Sequence, residues 1–289
     1  MQTGPSVSVL VLNYEGVTHL RNCLPSLEAL DYQNKRIVVV DNGSSDGSVE
    51  YVRSRHPHVD VFQLPSNRGF AGAYNAAVAA ANTDFVAFLN NDTRVAANWL
   101  SELVDVVERQ HAAAAASTIL AWDGSRVDFV GGLPNFAGHS WQLDYGEPVG
   151  KEYPERQLLF GCAGSMLVRR DAFVEAQGFD EDFFAYFEDV DLGWRMTLLG
   201  HKTMFAPKAI TYHRMHGTAG RWAHVLRLRL YERNALATIF KNYGDEALAR
   251  TLGPAVAMTL ARNLASAKLD GSGIQFGNSA ASSADVPAP

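Results

Sequence analysis

The chain has little of several things, and each shortage removes a class of protein. Its 289 residues include two cysteines, Cys23 and Cys162. Two make no disulfide framework, so they read as reduced, buried residues of an intracellular protein. The first residues, MQTGPS, lack a basic segment followed by an apolar run, and no signal peptide is expected. No apolar stretch reaches the roughly 20 residues that span a bilayer. Positive charge is not in excess: 25 basic against 31 acidic side chains give a net charge of −6, which argues against a nucleic-acid surface. There is no repeat of fixed period. What remains is 47% hydrophobic and 19% charged, an ordinary globular composition. The length suits one large α/β domain, or one domain with an appendage.

Strand-like and helix-like segments alternate through the first half. Apolar runs at Val7–Leu12, Arg36–Val40, Val59–Leu64 and Phe85–Leu89 predict strands. Between them, Val17–Leu30 and the Ala-rich Phe70–Ala81 predict helices, as does a segment running to about Arg55 that Ser45 or Asp46 can cap. Ala96–Gln110 follows as a helix. Such alternation implies a mostly parallel sheet with helices on both faces. From Trp122 to Arg156 Gly, Pro and aromatic residues dominate without periodicity, which reads as an ordered binding loop. Regular structure resumes with a strand at Ser165–Val168 and helices near Asp171–Ala176 and Glu188–Leu199. Two further helices are expected over Arg221–Asn242 and Glu246–Lys268, then a Gly/Ser/Ala/Pro-rich tail read as disorder or a linker.

Five constellations carry chemistry. FVAFLNNDT (85–93) ends an apolar run in polar groups, and ligands of open α/β sheets bind at the carboxyl ends of strands. Asp92 there offers a hard oxygen suited to Mg²⁺ or Mn²⁺, against the plainer reading of an Asx turn. VVVDNGSSDGS (38–48) ends a strand in Asp41, which can accept hydrogen bonds from a base or ribose. NRGFAGAYN (67–75) opens a helix whose N–H groups and Arg68 suit phosphate, with Gly69 allowing close backbone approach. It is not a Gly-Lys-Ser/Thr phosphate loop. FFAYFEDVDLGWR (183–195) sets Glu188, Asp189 and Asp191 at a helix start, where the dipole alone would favour them. Glu188 and Asp191 share a face while Asp189 points elsewhere, and an aromatic-lined carboxylate can be tuned as a base. Finally ITYHRMHGT (210–218) supplies His213 and His216 as metal-ligand candidates.

Taken in order, these motifs resemble the family 2 glycosyltransferases of the GT-A fold. The likeness runs over roughly residues 6 to 240 and is nearest to bacterial rhamnosyltransferase-like members that build cell-surface polysaccharides. It implies an α/β, Rossmann-like fold with C-terminal helices. It implies that Asn13, Tyr14 and Glu15 line the nucleobase loop, that Asp41 contacts the base, and that Asn90, Asn91 and Asp92 stand at the DXD position. Asn90 replaces the first Asp of that pattern. Arg68, Gly69 and Asn75 complete the donor set. Asp92 and His213 become the metal ligands, with His216 as a substitute, and Asp189 the catalytic base. Trp122, Trp141, Glu188 and Trp194 are the acceptor candidates. The QxxRW signature of processive synthases is absent, which implies transfer of a single sugar.

The expected reaction is an inverting, Mg²⁺- or Mn²⁺-dependent transfer from a dTDP- or UDP-sugar to a glycan or lipid-linked acceptor. dTDP-rhamnose is the leading donor and a GDP-sugar an alternative. A sugar nucleotidyltransferase would need a basic, Gly-rich loop after the first strand, where this chain has NYEG. A non-catalytic nucleotide-sugar binding module would not need Asp92 and Asp189. The expected organisation is a GT-A domain over 1–220, its nucleotide-sugar half ending near 120, then a helical segment over 221–270 and the tail. Arg221, Arg227, Arg229 and Arg233 beside apolar positions leave two readings of that segment. It is a hairpin packed on the catalytic domain, or a basic amphipathic surface that docks on anionic lipid. The protein is expected in the cytoplasm, with the second reading placing it on the inner face of the membrane.

Overall fold

The computed structural model describes residues 4–214 and 224–269. His216, Arg221 and the tail lie outside the described residues. The chain runs β1 (Val7–Asn13), α1 (Val17–Glu28), β2 (Lys35–Asp41), α2 (Ser48–Arg55), β3 (Asp60–Gln63), α3 (Gly69–Ala80), β4 (Phe85–Asn90), β5 (Thr93–Val95), α4 (Trp99–Gln110) and β6 (Ala114–Ala121). Then follow β7 (Val127–Phe129), β8 (Gly132–Pro134), β9 (Ser140–Gln142), β10 (Arg156–Leu158), β11 (Ser165–Arg169), α5 (Arg170–Glu175) and a 3₁₀ turn at Glu181–Phe183. α6 (Glu188–Leu198), β12 (Thr203–His213), α7 (His224–Asn242) and α8 (Asp245–Leu269) complete it.

The main sheet has the order β10-β12-β6-β11-β4-β1-β2-β3, with β5 on β12 and β7 on β6. β3, β2, β1 and β4 run parallel to one another. β11 inserts antiparallel between β4 and β6. The central strands are apolar on both faces because both faces are covered. Val7, Val9 and Val11 of β1 and Phe85, Ala87 and Leu89 of β4 pack with α1, α2 and α4. Leu10, Val86 and Phe88 point the other way, into the aromatic cluster of Tyr74, Phe173 and Phe179. α1 buries Leu20, Cys23, Leu24 and Leu27, the spacing of one helical stripe. Each such side chain stabilises the fold by about 1.5–3 kcal/mol on burial.

Register then assembles the site. Asn13 is paired with Asp41 across β1–β2, and Leu12 with Asn90 across β1–β4. His213 is paired with Thr93 across β12–β5. Four motifs far apart in sequence thus end along one edge of the sheet. Asp46 fastens that edge from outside, its Oδ2 accepting from the Val17 amide at 2.8 Å and its Oδ1 from the Ser48 amide at 3.1 Å. One carboxylate therefore caps the starts of both α1 and α2. The segment 122–156 is less irregular than expected. It holds β7, β8 and β9, each three residues long, too short to show a period.

Candidate active site

The nucleotide end is built from amides and carboxylates that are already paired. Asn13 is fully buried. Its Nδ2 donates to Asp41 Oδ1 and Ser44 Oγ, each at 3.2 Å, while its Oδ1 accepts from Asn91 Nδ2 at 2.7 Å. Gly16 lies directly over this cluster. A Cβ there would sit 2.1 Å from Asn91 Nδ2, so only glycine fits. Asp41 also accepts from the Ser44 amide at 3.1 Å. Glu15 Oε1 accepts from the Ser45 amide at 2.8 Å and the Ser45 hydroxyl at 3.0 Å. These contacts shape a shallow groove lined by Gly43, Ser44, Gln63, Leu64 and Pro65, at the ends of β2 and β3. Tyr14 stands half-buried at the end of β1.

Asp92 and His213 come together as the register dictates. The Arg214 amide donates to the Asp92 carbonyl at 2.9 Å. Asp92 is buried, and its Oδ1 has no hydrogen bond among the described residues. His213 Nε2 stands 3.4 Å from that oxygen, a contact without hydrogen-bond alignment. The other ring nitrogen, Nδ1, is 2.6 Å from Asp128 Oδ2. Burial alone would lower the pKa of His213, but Asp128 and then Asp92 hold it up at about 10. A buried carboxylate oxygen beside this ring is a donor pair that fits a divalent cation once the ring gives up its proton. Among the described residues no cluster of three metal-binding side chains is present, so a cation here needs oxygens from a ligand. Asp128, on β7, is a residue that sequence reasoning missed. Its signal was a carboxylate inside the apolar run VDFV, in a segment whose period is too short to read.

Asp189 and Glu188 open α6 on the other side of the turn 161–164. Asp189 Oδ2 accepts from the Ala163 amide at 3.1 Å and Oδ1 from the Val190 amide at 2.8 Å. The same turn accepts the Asn90 amide at Gly164, at 3.1 Å, so Gly161-Cys162-Ala163-Gly164 separates the DXD-like end from the base. It was the second feature missed, and its small residues gave no helical or strand signal. Burial raises Asp189 to about 6, with the backbone amides holding it down. Glu188 is pushed well above the usual carboxylate range by burial and then by Asp189, and its Oε2 has no hydrogen bond among the described residues. Of this coupled pair, Glu188 keeps the proton and Asp189 carries the charge near neutral pH. Asp191 does something else. Fully buried, it accepts from Arg195, Lys241 and Asn242 at 2.8, 3.0 and 2.9 Å, joining α6 to α7.

Several expected positions are used differently. The start of α3 is not an open anion site. The amides of Arg68, Gly69 and Phe70 donate to Asn42 Oδ1, Asn67 Oδ1 and the Phe184 carbonyl at 2.8, 2.8 and 2.7 Å. Arg68 pairs with Glu181 at 3.0 Å. Asn75 spends both ends of its amide on Phe179, donating to its carbonyl at 2.7 Å and accepting its N–H at 3.0 Å. Gly69 has φ +71°, with Phe184 where a Cβ would go. Arg68, Gly69 and Asn75 thus hold the loop before α6 in this structure. Trp194 packs edge-to-face on Tyr243 at 5.2 Å, in the contact between α6 and the C-terminal helices. Trp122 lies between Arg94 and Arg214, 5.2 and 4.5 Å from its ring. Trp141 is 70% exposed on the β8–β9 hairpin.

Comparison with known proteins now decides the family. The model described as Glycosyl transferase family 2 matches residues 8–176. The chain belongs to glycosyl transferase family 2. It is 28% identical over 236 residues to the N-acetylglucosaminyl-diphospho-decaprenol L-rhamnosyltransferase of Mycobacterium tuberculosis, covering 73% of this chain and 76% of that one. It is 30% identical over 216 residues to the pre-mycofactocin glycosyltransferase of the same organism, covering 73% of this chain and 44% of that one. The fold is similar to GalNAc-T7 with UDP, GalNAc and Mn²⁺ (TM-score 0.67, 17% identity, 86% of this chain and 49% of that one). It is also similar to a mannosyltransferase of Pyrobaculum calidifontis with GDP-Man and Mn²⁺ (TM-score 0.61, 18% identity, 94% and 77%). This family 2 member is thus a glycosyltransferase with the GT-A fold, its sheet edge at Asn13, Asp41 and Asp92 forming the candidate donor site.

Proposed function

We propose that the protein is an inverting, divalent-metal-dependent glycosyltransferase that moves one sugar from a nucleoside-diphosphate sugar to a hydroxyl of a glycan or lipid-linked acceptor. The observation that carries the reading is the buried Asp92 Oδ1, which has no aligned hydrogen bond and faces His213, set apart from a carboxylate of pKa about 6 at Asp189. Asp92 and His213 would hold Mg²⁺ or Mn²⁺, and Asp128 would fix the tautomer and orientation of the imidazole. When bound, the cation supplies positive charge for the diphosphate leaving group. Asn13, Tyr14, Glu15 and Asp41 shape the base groove, and Asn90 and Asn91 lie at the sugar side of it. Asp189 takes the proton from the acceptor hydroxyl, which attacks the anomeric carbon on the face opposite the leaving group and inverts it. Glu188, protonated, is placed to hydrogen-bond the acceptor, with Trp122 and Trp141 as candidate acceptor contacts. Donor groups come from residues up to about 120 and acceptor groups from 121 onward.

dTDP-rhamnose is the favoured donor because the relative from M. tuberculosis is named for rhamnose transfer. Thermal melting with dTDP-, UDP- and GDP-sugars, each with and without Mn²⁺, tests the whole reading. One nucleotide should raise the melting temperature, and only with metal present. Asp92→Ala should abolish that metal-dependent rise while the unliganded protein melts as before. Full turnover in excess EDTA would remove the metal from the scheme.

That relative is also named for a diphospho-decaprenol acceptor, and a lipid-linked acceptor calls for contact with a membrane surface. Among the described residues no helix is long and apolar enough to cross a membrane. α8, however, exposes Leu252, Val256, Leu260 and Leu264, four apart and so along one stripe about 18 Å long. Sedimentation with anionic vesicles, weakened by salt, tests peripheral docking. Equal recovery in the supernatant with anionic and neutral vesicles would reduce the C-terminal helices to a packing role.

A further inference from the structure

The residues just before the Glu188–Asp189 pair have a backbone that their own side chains resist. Phe184 lies at φ 61° and ψ −57°, and the Ala185 amide donates to the Phe183 carbonyl at 2.7 Å. Phe184 is therefore the centre of the rare, strained form of γ-turn. Tyr186 and Phe187 follow at φ 71° and 68°. No glycine relieves any of these positions. Left-handed conformations at bulky residues persist only where surrounding contacts over-determine them.

The start of α3 supplies one of those contacts, the Phe70 amide donating to the Phe184 carbonyl at 2.7 Å, and α7 supplies a dense set. Asn234 is 1% exposed, and its Nδ2 donates to the carbonyls of Phe183, Ala185 and Tyr186 at 3.0, 2.8 and 2.7 Å. Two N–H bonds meeting three carbonyls turn those carbonyls toward one point, which is the bend itself. Arg233 Nε donates to Asn234 Oδ1 at 2.9 Å and fixes which way the amide faces. Arg233 Nη2 adds the Asp182 and Phe183 carbonyls at 2.7 and 3.0 Å. Beyond the pair, Lys241 and Asn242 hold Asp191. One helix thus grips the chain immediately before and immediately after Glu188 and Asp189.

We propose that Asn234 is a positioning residue for sugar transfer, holding the strained loop 184–187 so that the first turn of α6 presents Asp189 to the acceptor hydroxyl. This rests on the reading of Asp189 as the base. It follows that α7 belongs to the reaction geometry, and that whatever displaces α7 displaces the base.

Asn234→Ala tests the proposal. Its kcat, measured with dTDP-rhamnose or whichever nucleotide sugar the melting series returns, should fall by about 10–100-fold, the scale of a small misplacement. Affinity for the matching nucleoside diphosphate with Mn²⁺, read by calorimetry, should be unchanged and one site per chain retained. Backbone amides of 184–190 should exchange hydrogen faster while those of β1 and β4 keep wild-type rates. Wild-type kcat, or a loss of kcat matched by an equal loss of nucleotide sites, would overturn it. If Asn234→Ala does not fold, Arg233→Ala, at a partly exposed side chain, should show the same split at smaller size, and wild-type kcat and exchange there would overturn it. Asp189→Asn separates the two ideas. Undiminished transfer by that variant would remove the base assignment, whereas faster exchange at 184–190 in Asn234→Ala would still show that the loop is held from α7.

Discussion

The proposed donor end and the proposed base end of this site are built on different plans. At the donor end Asn13, Asp41 and Asn91 satisfy one another, on strands whose parallel register leaves no freedom of placement. At the base end Glu188 has an unpartnered buried oxygen, Asp189 is raised to about 6, and the preceding loop is strained. Each strained residue of that loop costs on the order of 1–3 kcal/mol, offset by contacts from a helix about 50 residues away in sequence. Recognition of a nucleotide needs a groove that is the same before and after binding. Proton abstraction needs a carboxylate less comfortable than water would make it. In the proposed reading the first lies on buried parallel strands and the second where strain can be stored.

Breaking the base end should have the largest effect. Asp189→Asn keeps the shape but only one of the two amide hydrogen bonds, because Ala163 and Val190 donate to different oxygens, and it cannot take a proton. Transfer should fall by about 10²–10⁴-fold with nucleotide binding intact. In the wild type the rate should rise with pH through about 6 and level above it, because only the ionised carboxylate accepts a proton. The stability term runs the other way. A carboxyl whose folded pKa is raised binds protons more tightly when folded, so its contribution to stability declines as pH rises from the ordinary carboxylate range through about 6. A flat pH–rate profile between pH 5 and 8 would count against Asp189 as the base.

The donor end should be more forgiving where a residue acts through another. Asp128→Asn leaves His213 in place with a weaker partner, and should weaken Mn²⁺-dependent nucleotide binding by about 10–100-fold, read by calorimetry. An unchanged affinity would leave Asp128 with a packing role only. The smallest effect is expected at Arg68, whose partly exposed pair with Glu181 contributes no more than about 1 kcal/mol. Arg68→Ala should barely change nucleotide affinity. A loss of tenfold or more would return Arg68 to the donor site.

The same contrast governs how far the molecule could be read from its residues. β1, β2 and β4 were legible because strands buried on both faces must be apolar runs, and the ends of those runs announced Asn13, Asp41 and Asp92. β6 was not, because AAASTILA has a helical composition and becomes a strand only through its neighbours β11 and β12. β12 was seen only in its last residues, since Pro207 and the register shift between Ala206 and Ile210 interrupt the pattern. The start of α3 looked like an anion site because Asn42 and Phe184, which occupy two of its amides, lie in other segments, while Asn67 folds its own side chain back onto the third. Asp189 was legible as a carboxylate at a helix start. Asp128 and Asn234 were not, since their roles exist only once β7 meets β12 and α7 meets the loop before α6.

Asp46 shows why mutational sensitivity and contact are different maps. It fastens α1 through the Val17 amide and α2 through the Ser48 amide and hydroxyl. Those two helices begin where the loops after β1 and β2 end. In a library of random variants selected for nucleotide retention, this position would be depleted as severely as Asp41, and would be scored as a binding residue. It is a hinge pin shared by two doors: lose it, and the starts of both helices come loose together, although no side chain of the proposed nucleotide site has changed.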